Sequence, residues 1–224
     1  MELTILQWNA NSFIAHIQEF KHYLDNLDNL PDVICIQETF LKSSSNVGIP
    51  GYSILRQDGD NGRGGVAILL KSSITYSDVQ YYKNKESISV KIDTVSGQLT
   101  IFNFYISPSY LFDESFILEI FSRDNVFICG DFNAKSPLWG SSKTDTRGKT
   151  FENILRKTDL VVLNTGSPTR IHKTGLSHID LAFCSPRYSN IAHWEGDDQT
   201  GGSGHSIIKT TLSIYISYEN NLAR

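Results

Sequence analysis

The stretch Val126-Phe127-Ile128-Cys129-Gly130-Asp131-Phe132-Asn133 decides how this chain is read. A short apolar run punctuated by glycine reads as a buried core strand. It delivers Asp131 and Asn133 to the rim of a sheet. Side chains two apart on an extended segment point to the same side. A carboxylate and an amide facing one way can hold a water and a metal-bound phosphate together. The competing reading is an Asx-type turn after a strand, which both residue types favour.

Other strand ends carry the same kind of residue. Leu3-Thr4-Ile5-Leu6-Gln7-Trp8 runs into Asn9-Ala10-Asn11, and Val33-Ile34-Cys35-Ile36-Gln37 runs into Glu38-Thr39. The segment from Leu99 to Phe104 is nearly all apolar and ends on Tyr105, and Ser177 to Phe183 carries Asp180 in its middle. Gly202-Ser203-Gly204-His205-Ser206 leads into Ile207 to Leu212. Polar residues at the tips of apolar strands are where an open sheet builds its site.

Between these landmarks the pattern predicts a helix after Ser12, read as its N-cap, with Phe13, Ile17, Phe20, Leu24 and Leu27 on one face. Strands are expected near 52–57, 65–71, 74–81, 86–93 and 99–106, and again near 126–130, 160–163, 179–184, 190–195 and 206–216. Helices are expected near 113–122 and 148–158. Ile88, Val90 and Ile92 alternate with polar residues, as a half-exposed antiparallel strand should. The pattern amounts to an α/β chain of two packed sheets with outer helices.

At 224 residues the chain is long enough to bury well over half of its unfolded surface. No apolar stretch approaches the roughly eighteen residues of a membrane span, and no N-terminal signal or targeting segment is visible. Cys35, Cys129 and Cys184 lie in apolar runs and read as buried free thiols of a reducing, intracellular setting. The net charge of −4 argues against a strongly basic nucleic-acid binder, but its distribution is uneven. Residues 1–130 hold 9 Lys and Arg against 15 Asp and Glu, whereas 131–224 hold 11 against 9. Lys135, Lys143, Arg147 and Lys149 cluster against Asp145, and Arg170, His172 and Lys173 form a second basic group. Solvated loop charge is the plain reading of either cluster. A phosphate-backbone surface is the alternative, because both flank the polar strand tips.

The ordered set of segments resembles the exonuclease–endonuclease–phosphatase superfamily, the deoxyribonuclease I-like fold. It resembles most the endonuclease domain of non-long-terminal-repeat retrotransposons of the jockey and I type. The residues behind this are Trp8-Asn9-Ala10-Asn11, Ile36-Gln37-Glu38-Thr39, Gly64-Gly65-Val66-Ala67-Ile68, Tyr105 and Gly130-Asp131-Phe132-Asn133-Ala134. The set continues with Ser136-Pro137-Leu138-Trp139-Gly140, Arg147-Gly148, Leu163-Asn164-Thr165-Gly166, Pro168-Thr169-Arg170 and His178-Ile179-Asp180-Leu181. The resemblance implies a four-layer α/β/β/α sandwich over 1–224, a single domain at the N-terminal part of a longer polyprotein, and monomeric as an isolated domain.

It also implies Mg²⁺-dependent nicking of double-stranded DNA, with Mn²⁺ as an alternative ion. The 3′-hydroxyl so formed would prime a reverse transcriptase domain of the same polyprotein, in the nucleus and with no membrane partner. Glu38 is the expected metal ligand, with Asn9 beside it. Asp131 is the expected base or water-orienting group, and Asn133 and Tyr105 are expected at the phosphate. His205 is the expected donor, with Asp180 fixing its ring from behind; His178 is held in reserve. Asn11, Lys143, Arg147, Lys149, Thr169 and Arg170 are the expected DNA contacts, and Trp139 is read as a loop anchor. The loops 107–112, 135–149 and 170–177 are where target choice is expected.

One departure stands out: the family pattern Ser-Asp-His is Ser203-Gly204-His205 here. A missing acid and a backbone loosened by glycine leave room for an impaired enzyme, with Asp197 and Asp198 as substitutes through a loop shift. An apurinic-site nuclease, a phosphatase acting on inositol phosphates or lipids, and a catalytically dead DNA-binding module stay open as alternatives.

Overall fold

Alternation along the strands sets the layers. The computed structural model describes residues 2–83, 86–109, 113–173 and 175–217. The chain runs β1 (Glu2–Asn9), α1 (Phe13–Asp25), β2 (Val33–Gln37), β3 (Tyr52–Gln57), β4 (Val66–Lys71), β5 (Tyr76–Tyr82), β6 (Ser87–Thr94) and β7 (Gly97–Tyr105). It continues with α2 (Glu114–Phe121), β8 (Val126–Asp131), α3 (Thr146–Leu155), β9 (Val161–Val162), β10 (Arg170–His172) and β11 (Gly175–Ser177). It closes with β12 (Asp180–Cys184), α4 (Pro186–Ser189), β13 (Ala192–Gly196) and β14 (Ile208–Tyr215). One six-stranded sheet has the order β13-β14-β1-β2-β4-β3 and the other β5-β6-β7-β8-β12-β9, with β10 and β11 forming a separate hairpin.

Leu3, Ile5, Val33, Cys35, Val66 and Ile68 of the first sheet meet Ile88, Val90, Ile101, Phe127, Cys129 and Ala182 of the second. Residues of the other parity face outward. Leu6, Trp8, Ile34 and Ile36 lie under Phe13, Phe20 and Leu24 of α1, where the Trp8 and Phe20 rings stack at 4.6 Å. Phe102, Phe104, Ile128 and Phe183 pack against Ile120 and Phe121 of α2 and Phe151 and Ile154 of α3. The result is the α/β/β/α sandwich.

The inner faces change character along the strands. Leu3 and Ile5 give way to Gln7 and Asn9, Cys35 to Gln37, Ile101 to Asn103 and Tyr105, and Cys129 to Asp131. The registers Asn9↔Gln37, Tyr105↔Asp131 and Asp180↔Asp131 bring these polar positions to one end of the sandwich. Below them a buried amide layer ties the sheets together. Gln7 Nε2 donates to Gly130 O at 2.9 Å, Gln37 Nε2 to Asn103 Oδ1 at 2.6 Å, and Asn103 Nδ2 to Ile36 O and Ala67 O, each at 2.9 Å. Buried donors with fixed partners hold the two sheets in one relative position. Gly130 is required at its place, since a Cβ there would lie 2.0 Å from Phe104 O.

Some expectations change. Ser12 precedes α1 but makes no side-chain cap; its φ is 91°, and its N–H donates to Glu38 O at 2.9 Å. The helix start is thereby pinned to the Glu38 segment. Helix α3 begins at Thr146, two residues early, because Asp145 caps it by accepting from Gly148 N at 2.6 Å. The strands β10 and β11 and the short α4 carry too few residues to show a period. Of the loops expected to set target choice, 110–112 and 174 fall outside the described residues. The three cysteines are buried and unpaired. Among the described residues, no helix is long and apolar enough to cross a membrane.

Candidate active site

Asn9, at the end of β1, sits between two carboxylates. Its Nδ2 donates to Glu38 Oε1 at 2.8 Å and to Asp131 Oδ2 at 2.9 Å, while its Oδ1 accepts from Asn11 N at 3.0 Å. Only an amide nitrogen can donate to two carboxylates, so the Asn9 oxygen faces away from them. The expectation of Asn9 as a metal ligand is therefore corrected: it spaces and orients the acids. Asp131 Oδ1 accepts from Asn133 N at 2.9 Å, so the Asx turn of the competing reading exists, and it is what aims the Asp131 carboxylate. Asn133 Nδ2 donates to Ile106 O at 3.2 Å. Glu38 and Asn133 both hold left-handed backbone, at φ 48° and 46°. Strain of this kind persists where surrounding contacts over-determine it, as the sheet ends do here.

Opposite these acids, His205 Nδ1 donates to Asp180 Oδ1 and Oδ2 at 3.1 and 3.0 Å, with both side chains buried. The Nδ1–H bond leaves Nε2 for the site. Burial pulls the His205 imidazole down, but the charge and hydrogen bond of Asp180, with Asp131 behind, outweigh it and leave the pKa raised. Asp131 is pushed up to about 7, first by burial and then by the charge of Asp180, with His205 pulling the other way. Burial, and then Glu38 and Asp131, push the Tyr105 phenol far above its ordinary range, so it stays a neutral donor, bonded to Glu38. One ligand atom each of Glu38, Asp131 and His205 lie within 4.8 Å of one another. Two carboxylates and an imidazole held this close, with an amide and a phenol rather than a lysine between them, suit a divalent cation.

The expected DNA contacts divide. Lys143 lines a cleft of about 360 Å³ with Lys135, Ser141, Ser142, Leu176 and His178. Lys149 is exposed on α3, outside that lining, and Asn11 is exposed at the rim. Arg170 is bridged through its backbone to His205, and its charge reaches the imidazole. Arg147 does not extend toward solvent. Its guanidinium donates to the carbonyls of Ile106, Phe132, Ser107 and Pro108 at 3.1–3.3 Å, clamping the loop after β7. Thr169 is fully buried, so it cannot touch a docked duplex. Trp139 is buried and donates to Ala134 O at 3.1 Å, as a loop anchor does.

Gly204 is not loose. Its φ is +85°, and its carbonyl accepts from Ile171 N at 2.8 Å. Asp197 accepts from Tyr23 OH at 3.2 Å and, with Asp198, lines a separate pocket beside Lys209, so neither replaces an acid at 204. Two further residues were given no role in the sequence reading, Glu86 unmarked there and Asn164 present only within a resemblance segment. Glu86, before β6, is pushed up to about 7 by burial, then by Glu38 and Asp60. Asn164 bonds the backbone of β12 on both sides of Leu181.

Residues 99–209 match the model of a family described as endonuclease–reverse transcriptase. Over these residues the chain is similar to that family. Over 177 residues it is 29% identical to the RNA-directed DNA polymerase from mobile element jockey of Drosophila melanogaster, covering 75% of this chain and 19% of that protein. Over 179 residues it is 30% identical to a probable RNA-directed DNA polymerase from transposon X-element of the same organism, covering 76% and 19%. The chain thus spans about a fifth of the length of these curated relatives. In fold it is similar to the endonuclease domain of TRAS1, a telomere-specific non-LTR retrotransposon, with a TM-score of 0.78, 21% identity and 96% and 99% coverage. It is also similar to the AP endonuclease LMAP of Leishmania major, with a TM-score of 0.77, 13% identity and 95% and 88% coverage. The deoxyribonuclease I-like architecture follows.

Proposed function

We propose that the chain is a Mg²⁺-dependent endonuclease that nicks double-stranded DNA and leaves a 3′-hydroxyl for reverse transcription. The observation that carries this reading is the convergence of Asn9 and Glu38 at strand ends of the first sheet, Asp131 and Asp180 on neighbouring strands of the second, and His205 before β14 on a single cluster. A Glu38 carboxylate with Asp131 close by would hold Mg²⁺, and the bound ion supplies polarisation of the non-bridging phosphate oxygens. Asp131 in its ionised form accepts the proton of the attacking water. Water adds to phosphorus as the bond to the 3′ oxygen breaks; the phosphate stays on the 5′ side, and the leaving 3′ oxygen takes a proton from solvent water to give the hydroxyl. His205, whose cationic form Asp180 favours, donates to the phosphate as charge builds there, and the Asn133 amide and Tyr105 phenol add neutral donors. Asn9 holds the two acids apart so that neither has to move during the reaction.

The lengths of the curated relatives support a reverse transcriptase domain in the same polyprotein, and action on chromosomal DNA would take place in the nucleus. The test is a comparison of three substrates at equal Mg²⁺: supercoiled plasmid, an abasic duplex and an inositol phosphate. The proposal expects relaxation of undamaged plasmid at a rate comparable to abasic cleavage, with no phosphate released from the inositol. Cleavage confined to the abasic site would make the chain a repair-type nuclease, and binding without cleavage would make it a DNA-binding module.

A further inference from the structure

Strand β12 carries Asp180, and its outer edge is incomplete. On one side it pairs with β8 from Asp180 to Cys184, but on the other β9 covers only Phe183 and Cys184. The backbone groups beside Asp180 are therefore left without a neighbouring strand, and buried groups of that kind need partners. Two side chains supply them. Asn164 Nδ2 donates to Asp180 O at 2.9 Å, and its Oδ1 accepts from Ala182 N at 2.9 Å, which reproduces the pairing of an absent strand residue. The Thr169 hydroxyl accepts from Ile179 N at 3.0 Å and Asp180 N at 3.1 Å.

Thr169 also reaches the other member of the pair. Its carbonyl accepts from Ser206 N at 2.8 Å, Arg170 forms a backbone bridge with His205, and Ile171 N donates to Gly204 O at 2.8 Å. One short segment thus grips the backbone on both sides of the Asp180–His205 hydrogen bond. We infer that Asn164 and Thr169 are positioning residues, a side-chain clasp that substitutes for a missing strand and sets Asp180 against His205. This rests on the nuclease reading for its effect on turnover but not for its effect on the imidazole. A carboxylate that binds Nδ1 with both oxygens tolerates little displacement of its backbone before the ring turns.

The experiment uses the 224-residue chain with Thr169→Val, Thr169→Ser and Asn164→Ala. The first readout is the ¹H–¹⁵N signal of the His205 Nδ1–H in metal-free protein. The second is the split of kcat and KM for plasmid nicking. Thr169→Val and Asn164→Ala are each expected to broaden or lose the Nδ1–H signal and to lower kcat about tenfold, a typical loss for a supporting partner, with KM nearly unchanged. Thr169→Ser keeps the hydroxyl and is expected to restore both. An unmoved Nδ1–H signal in both disrupted variants, or a loss confined to KM, overturns the proposal. If Thr169→Val does not fold, the partly exposed Asn164→Ala decides. If no form of the chain nicks DNA, the imidazole signal still answers the question, separately from the nuclease reading.

Discussion

Asp131 is held under two opposed demands: the proposed catalysis needs its charge, and its surroundings penalise it. Burial and Asp180 raise it to about 7, so between its ordinary value and that point the folded protein keeps a proton that the unfolded chain has lost. Stability from this group therefore falls as pH rises through that window. His205 acts with the same sign, since its raised pKa gives stability present below its ordinary value and lost as pH rises through the folded one. Metal-free protein is thus expected to lose melting temperature from pH 5 to pH 8, and Asp131→Asn, which cannot titrate, is expected to show a shallower loss. Calorimetry at several pH values in chelator checks this, and parallel slopes would contradict it. The same substitution is expected to abolish nicking while leaving DNA affinity equal or higher, because a negative charge facing a phosphate is removed. A collapse of binding would instead make Asp131 a structural residue.

The start of α3, one loop and one turn separate charge that holds the fold from charge proposed to face DNA. Arg147 gives its donors to four carbonyls, three of them in part-buried bonds, so Arg147→Ala removes the clamp on that loop. It is expected to cost about 1–3 kcal/mol and to lower the melting temperature by several degrees without altering the salt dependence of binding. Lys135 and Lys143 line the open cleft, and replacing both by Ala is expected to lower the slope of log K against log salt by about 1.8 with the melting temperature unmoved. An unchanged slope would return the cleft to ordinary solvated charge. At Gly204 the backbone is left-handed and a Cβ would meet Ile171 O at 3.3 Å. Gly204→Asp is therefore expected to cost about 1 kcal/mol of stability, yet to raise nicking at low Mg²⁺ by adding a hard oxygen near the other acids. Equal or slower cleavage at every Mg²⁺ level would show that glycine belongs to the working geometry.

Across the whole molecule, what could be read in the sequence was what repeats along a strand. Period-two alternation placed most strands, and the polar residues that interrupt it at Asn9, Glu38, Asp131 and Asp180 are brought together by the strand registers. Periodicity alone gave two sheets and outer helices; the four layers came from the family resemblance. What was not legible depends on direction in space. Arg147 and Lys143 look alike in a loop, yet one turns inward to carbonyls and the other lines a cleft. Thr169 was expected at DNA from the family resemblance, because nothing local marks a hydroxyl as the cap of another strand's edge, and β10 and β11 are three residues each, too short for any period. The central claim is that these ends form one metal-dependent nicking site, and supercoiled plasmid tests it most directly. Wild-type chain and Glu38→Ala are incubated with Mg²⁺ or with chelator, and the open circles are offered to a DNA polymerase without prior end repair. The account predicts relaxation by the wild type with Mg²⁺ only, none by the folded Glu38→Ala, and immediate extension from the nick. Relaxation that persists in chelator or in Glu38→Ala, or nicks that extend only after removal of a 3′-phosphate, would contradict it.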